Sequence, residues 1–122
     1  QPIFNHGSVI ANYKISKAQQ EQAKLNFQQT VLDAGAEVSN ALFAYKTVGE
    51  KSQQRDKQVE ALDKAVGYTQ DLMQVGSANY LDVITAQQSL LGAQLTQVQD
   101  RYEYLQSVIN LYQALGGGRT NE

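Results

Sequence analysis

Apolar residues recur along this chain at alternating steps of three and four. The later half shows it most cleanly, at Leu81, Ile84, Gln88, Leu91, Leu95, Val98, Tyr102, Leu105, Ile109 and Tyr112. The earlier half repeats it through Phe27, Val31, Ala34, Val38, Ala41, Tyr45 and Val48, passes through polar Ser52 and Arg55, and resumes at Val59, Leu62, Val66, Thr69 and Met73. Strict three-four alternation is a period of 3.5, the pattern of helices that wind around a partner. The two runs are separated by Gln74-Val75-Gly76-Ser77-Ala78-Asn79-Tyr80. The pattern predicts an all-α chain, a long antiparallel coiled-coil hairpin, with function placed in what the arms pack against and in the turn. The residues expected to carry the packing are Val31, Val38, Tyr45, Leu62, Val66, Leu81, Ile84, Leu91, Leu95, Val98, Tyr102, Leu105 and Ile109.

The elements predicted are a start at 1–7, a long helix over 8–74, a turn over 75–79, a returning helix over 80–115 and a tail over 116–122. No proline interrupts the span from Val9 to Gln74, and strong helix formers dominate it. Such a helix is about 100 Å long at 1.5 Å per residue. Asn5-His6-Gly7-Ser8 reads as a stop and a cap, with Asn5 or Ser8 accepting from the first free N–H groups. Gly35, Gly49 and Gly67 are possible bends or points of close packing, at about 1 kcal/mol each against alanine. The polar stretch from Lys46 to Gln58 leaves two alternatives. Either the helix runs through and meets water or a polar neighbour there, or it breaks near Gly49 and folds back into a three-helix bundle.

Gly76 suits the left-handed position that ends a helix. Asn79 or Ser77 then caps the next one, with Asp82 in its first turn, where a negative charge is favoured. Gly116-Gly117-Gly118 ends the returning helix, and Arg119 to Glu122 are expected to be disordered.

The 122 residues allow one domain at most. With a net charge of −2 and no basic patch, nucleic acid is not expected as a partner. Cysteine is absent, which excludes disulfides and thiolate metal sites. No run of about 18 apolar residues occurs, so no transmembrane helix is expected. The opening Gln1-Pro2-Ile3-Phe4 reads as the end of an extended segment, so the chain is expected to be a piece of something larger.

Candidate chemistry is sparse. His6 is the one histidine, and a single ligand closes no metal site. Glu60 and Lys64 form an i,i+4 pair on a solvated face. The glycine triplet follows a helix where a phosphate loop must precede one. Tyr45, Tyr102 and Tyr112 fall on the stripes and read as packing residues with wetted hydroxyls. No catalytic residue, metal site or cofactor is expected. Val108, Leu111 and Leu115 form a further apolar row on the returning helix, and unpaired apolar rows imply association.

Three phrases carry a resemblance. They are Pro2-Ile3-Phe4-Asn5-His6-Gly7; Tyr80-Leu81-Asp82-Val83 with Ala86-Gln87 and Leu90-Leu91 just after Val75-Gly76; and Leu111-Tyr112-Gln113-Ala114-Leu115-Gly116-Gly117-Gly118. In this order and spacing the chain resembles the C-terminal repeat of the TolC-like outer-membrane efflux family. The resemblance implies the periplasmic helical portion of a Gram-negative outer-membrane channel: a homotrimer that docks a periplasmic adaptor (membrane fusion) protein and, through it, an inner-membrane pump. It implies that residues 1–7 end a membrane strand. It also implies that Val75, Gly76, Ser77, Ala78, Asn79 and Tyr80 form the tip that meets the adaptor. The chain departs from the best-known member where a tyrosine and an arginine flank the tip glycine and help to lock the channel; Met73 and Ala78 stand there, so that lock does not carry over. The alternative is a free-standing helical interaction module, an adaptor-type hairpin or scaffold. It accounts for the heptads but not for the strand-like start or the glycine end. An enzyme built on a helical bundle would need inward carboxylates or histidines, which the stripes lack.

Overall fold

The computed structural model describes residues 5–117, and burial from residue 6 onward. Two helices account for nearly all of them: α1 over Asn5–Gln74 and α2 over Tyr80–Ala114. There is no strand among the described residues, and none of the helices is long and apolar enough to cross a membrane. That says nothing of a β-barrel formed by other sequence.

The described residues fall into two units, divided after Glu37. In the first, every side chain from His6 to Glu37 is exposed, Val31 included. Its local bonds run along the helix: Gln29 donates to Asp33 at 2.8 Å, and the Thr30 hydroxyl donates to the Asn26 carbonyl at 2.8 Å. The expected stop at Asn5-His6-Gly7-Ser8 is not there, because α1 already includes these residues. Each added residue of a nucleated helix contributes a hydrogen bond, which outweighs the modest local preferences of Asn, Gly and Ser. Of the strand end expected at 1–7, residues 5–7 belong to α1, while residues 1–4, and 118–122 of the tail expected at 116–122, lie outside the described residues.

The second unit is an antiparallel hairpin. Its α1 arm turns inward the row read from the sequence: Val38, Ala41, Tyr45, Val48, Ser52, Arg55, Val59, Leu62, Val66 and Thr69 are all buried or half-buried. The helix does not break near Gly49, and no three-helix bundle forms. Gly49 is a point of close approach instead. A Cβ there would stand 3.5 Å from the Tyr104 ring, an ordinary van der Waals contact, so the ring packs against this position without requiring glycine.

The α2 arm differs from expectation. Leu81, Leu91, Leu95, Val98, Tyr102, Leu105, Ile109 and Tyr112 are exposed, and of the predicted row only Ile84 is half-buried. The seam is formed by a second row, Val83, Ala86, Leu90, Ala93, Gln97, Asp100, Tyr104, Ser107, Leu111 and Ala114. It has the same three-four spacing but smaller and more polar residues. The tyrosine inside the hairpin is therefore Tyr104, with Tyr45, and not Tyr102 or Tyr112. Of the further row predicted on α2, Leu111 is half-buried in the seam, whereas Val108 and Leu115 are exposed.

Candidate functional site: the turn, the seam and the outward row

The turn joins two complete caps. At the end of α1 the Ser77 N–H donates to the Leu72 carbonyl at 2.8 Å and the Gly76 N–H to the Met73 carbonyl at 3.1 Å. Gly76 has φ +77°, as the left-handed residue of this motif must, and Cβ atoms are disfavoured there. The Ala78 N–H also reaches the Leu72 carbonyl, at 3.2 Å.

Asn79 then opens α2. Its side chain accepts from the Asp82 N–H at 3.0 Å, and its own N–H donates to the Asp82 carboxylate at 2.9 Å. This is a reciprocal capping box, and an Asn cap contributes about 1 kcal/mol over alanine. The cap is Asn79, not Ser77, and Asp82 serves it as well as the helix dipole. The six residues expected to form the tip, the last of them Tyr80 at the start of α2, thus take one defined shape. Val75, Gly76, Ser77, Asn79 and Tyr80 are exposed, Val75 at 74%, while Ala78 is half-buried.

The same glycine logic closes α2. Gly116 has φ +84°, its N–H meets the Gln113 carbonyl at 2.9 Å, and the Gly117 N–H meets the Tyr112 carbonyl at 2.8 Å. A side chain on Gly117 would overlap the Tyr112 ring, which covers the helix end.

About midway along the paired arms the seam turns ionic. Asp100 is 1% exposed. Arg55 Nε donates to its Oδ2 at 2.8 Å, and Lys51 Nζ stands 3.1 Å from its Oδ1. Lys51 Nζ also donates to Glu103 Oε2 at 2.8 Å. Beside them Gln97 donates to Asp56 at 2.6 Å, and Arg101 lies 3.8 Å from the same carboxylate. The Tyr45 and Tyr104 hydroxyls lie 3.1 Å apart, with ring centroids separated by 5.5 Å. The polar stretch at Ser52 and Arg55 therefore meets a polar neighbour. The separate Glu60–Lys64 pair forms as expected, at 3.2 Å on the solvated face.

The Arg55 hydrogen bond holds the Asp100 carboxyl below its ordinary value. Burial opposes this, and Lys51 adds to the lowering. The hydrogen bond that Lys51 donates to Glu103, then the one it donates to Asp100, holds its ammonium above the ordinary value. The signs follow by linkage. A depressed Asp contributes stability that is present above its unfolded pKa of about 3.9 and is lost as pH falls through the lower folded value. Acid titration of the hairpin, followed by circular dichroism, is expected to show a loss of stability that starts near that unfolded value and completes below it. In Asp100→Asn this contribution disappears, and the acid limb becomes correspondingly shallower.

Among the described residues no group of three or more His, Cys, Asp or Glu side chains is placed to hold a metal. The groove beside Tyr45 and Tyr104 is open to solvent. Asp100, Tyr104, Ser107 and Ala93 were missed as seam residues from periodicity alone, and the signal that could have found them was charge. Reflecting Arg55 through the turn at Ser77 lands one residue from Asp100.

The sequence matches one known family over nearly the whole chain. Residues 1–117 fit the profile of the outer membrane efflux proteins. The chain belongs to that family. Among its relatives, the toluene efflux pump outer membrane protein TtgC of Pseudomonas putida is 36% identical over 117 residues. The cation efflux system protein CusC of Escherichia coli is 32% identical, and the pyoverdine export outer membrane protein OpmQ of P. putida is 33% identical, each over 117 residues. In each case the match covers 96% of this chain, but only 24% of TtgC and 25% of CusC and OpmQ. The chain thus spans about a quarter of the length of these relatives. They are named as efflux and export proteins, not as enzymes.

Proposed function

We propose that this hairpin is part of the periplasmic wall of a trimeric outer-membrane efflux channel, and that its turn is where a periplasmic adaptor docks and links the channel to an inner-membrane pump. The observation that carries the wall reading is the outward row of α2. Leu91, Leu95, Val98, Tyr102, Leu105 and Ile109 form an apolar strip several turns long, exposed in the single chain. A strip of this length marks an association surface. Leu42, Phe43, Tyr68 and Leu72 add exposed apolar area on the α1 arm. In a closed wall each hairpin would cover such strips on its neighbours, and Val31 would pack in the same way. The preformed, exposed turn supports docking, since Val75, Gly76, Ser77, Asn79 and Tyr80 are open to a partner.

The relatives are named for different solutes, namely cations, toluene and pyoverdine, so the hairpin is proposed as a shared wall element and not as the part that selects cargo. A free-standing interaction module would also use an apolar strip. The two readings part on location. The intact gene product is expected to fractionate with the outer membrane and to be recovered there as a trimer by cross-linking. Recovery as a soluble, membrane-free oligomer would replace the channel reading with the module.

A further inference from the structure

α2 carries two full heptad rows, and the structure buries the less apolar one. The outward row holds Leu91, Leu95, Val98 and Tyr102, whereas the inward row, two residues further on, holds Ala93, Gln97, Asp100 and Tyr104. Two residues are about 200° of helix, so the rows lie on nearly opposite sides. Burial of apolar area alone would turn Leu95 and Val98 toward α1, yet they are 65% and 67% exposed while Ala93 is buried. Something other than hydrophobicity decides the orientation.

The inward row matches the polar interruption of α1. Asp100 receives Arg55 at 2.8 Å and Lys51 at 3.1 Å, and Glu103 receives Lys51 at 2.8 Å. With α2 rotated to bring the other row inward, Val98 and Tyr102 would face this stretch and Arg55 would enter the seam with no anion opposite. An uncompensated charge in a seam is strongly disfavoured, whereas a satisfied one chooses among otherwise similar packings at little net gain in stability. A single polar residue at a core position sets coiled-coil register in the same way.

We propose that the Lys51–Arg55–Asp100–Glu103 cluster selects which side of α2 faces α1, and thereby keeps the large apolar row outward. This selection is a property of the hairpin and does not depend on the channel reading.

The test uses cysteine pairs in the 122-residue chain, which has no cysteine of its own. Asp56 bonds Gln97, so Val59, one turn nearer the tip, stands level with Ala93 and Leu95. Val59→Cys with Ala93→Cys reports the inward row, and Val59→Cys with Leu95→Cys reports the opposite one. Intrachain disulfide yields are compared in the native background, in a neutral set (Lys51→Gln, Arg55→Gln, Asp100→Asn, Glu103→Gln) and in Asp100→Lys. The native background should cross-link the first pair alone. In the neutral set the ratio of first to second yield should fall by about tenfold or more, as couplings between close charge pairs imply. The neutral set buries no unpaired charge, so it remains informative if Asp100→Lys unfolds. A native ratio in the neutral set overturns the proposal. Loss of the first cross-link without gain of the second also overturns it, because the cluster would then hold the arms together without choosing between sides.

Discussion

Gly76→Trp in the intact protein is expected to abolish efflux while leaving trimer level and outer-membrane insertion unchanged. Two effects of this substitution must be kept apart. Gly76 has φ +77°, so any Cβ there costs about 1–2 kcal/mol through the backbone. The space around it is open, with nothing within 4 Å of a Cβ, so the indole would project outward. Gly76→Ala carries the strain without the bulk and should retain export near the parental level. Ser77→Trp carries the bulk at an ordinary φ and should lose export as Gly76→Trp does. Susceptibility of cells carrying each variant to an exported toxic solute, beside trimer levels in their membranes, gives the comparison. Parental resistance in both tryptophan variants would show that the turn is not the docking surface.

Leu91→Asp should behave in the opposite way. Within the hairpin Leu91 is exposed, so a carboxylate at this position meets water and α2 should keep its helicity. In an assembled wall the same position would be covered. The substitution would then forfeit about 1.5–3 kcal/mol of leucine burial and also place a charge in an apolar contact. The expected result is loss of the trimer, and with it of export, while the separate chain still melts as the parent does. A parental trimer level in Leu91→Asp membranes would remove the outward row from the wall interface. A large fall in the helicity or melting temperature of the separate chain would instead place Leu91 in the fold itself.

The sequence made the α1 arm legible and misled on α2, for one physical reason. Period and residue size identify a helix face that packs against something; they do not say against what. On α1 the row through Val38, Tyr45, Leu62 and Val66 is the main candidate, and it is the one buried in the hairpin. On α2 the row of large residues is the more conspicuous, but the partner across the seam is matched by Ala93, Asp100 and Ser107, which a search for large apolar residues passes over. The polar residues Ser52 and Arg55 held the missing information, since a cation on a packing row requires an anion opposite. The turn was read from local chemistry alone, with Gly76 as left-handed terminator and Asn79 and Asp82 at the next start. Such motifs depend on a few adjacent residues, and the structure contains them. At the other end the same local reasoning failed, because Asn5-His6-Gly7-Ser8 is as compatible with a helix as with a cap, and propagation from the following turns decides.

The hydrogen bonds that shape the turn all begin and end between Asp71 and Val83. No partner is needed to form it. A protein that meets this end of the hairpin finds a rigid knob and has little loop entropy to remove on contact, so more of its contact energy remains as affinity. Amide exchange should therefore protect the Ser77 and Asp82 N–H groups equally in the free chain and in a docked complex. Changes on docking would be confined to side chains.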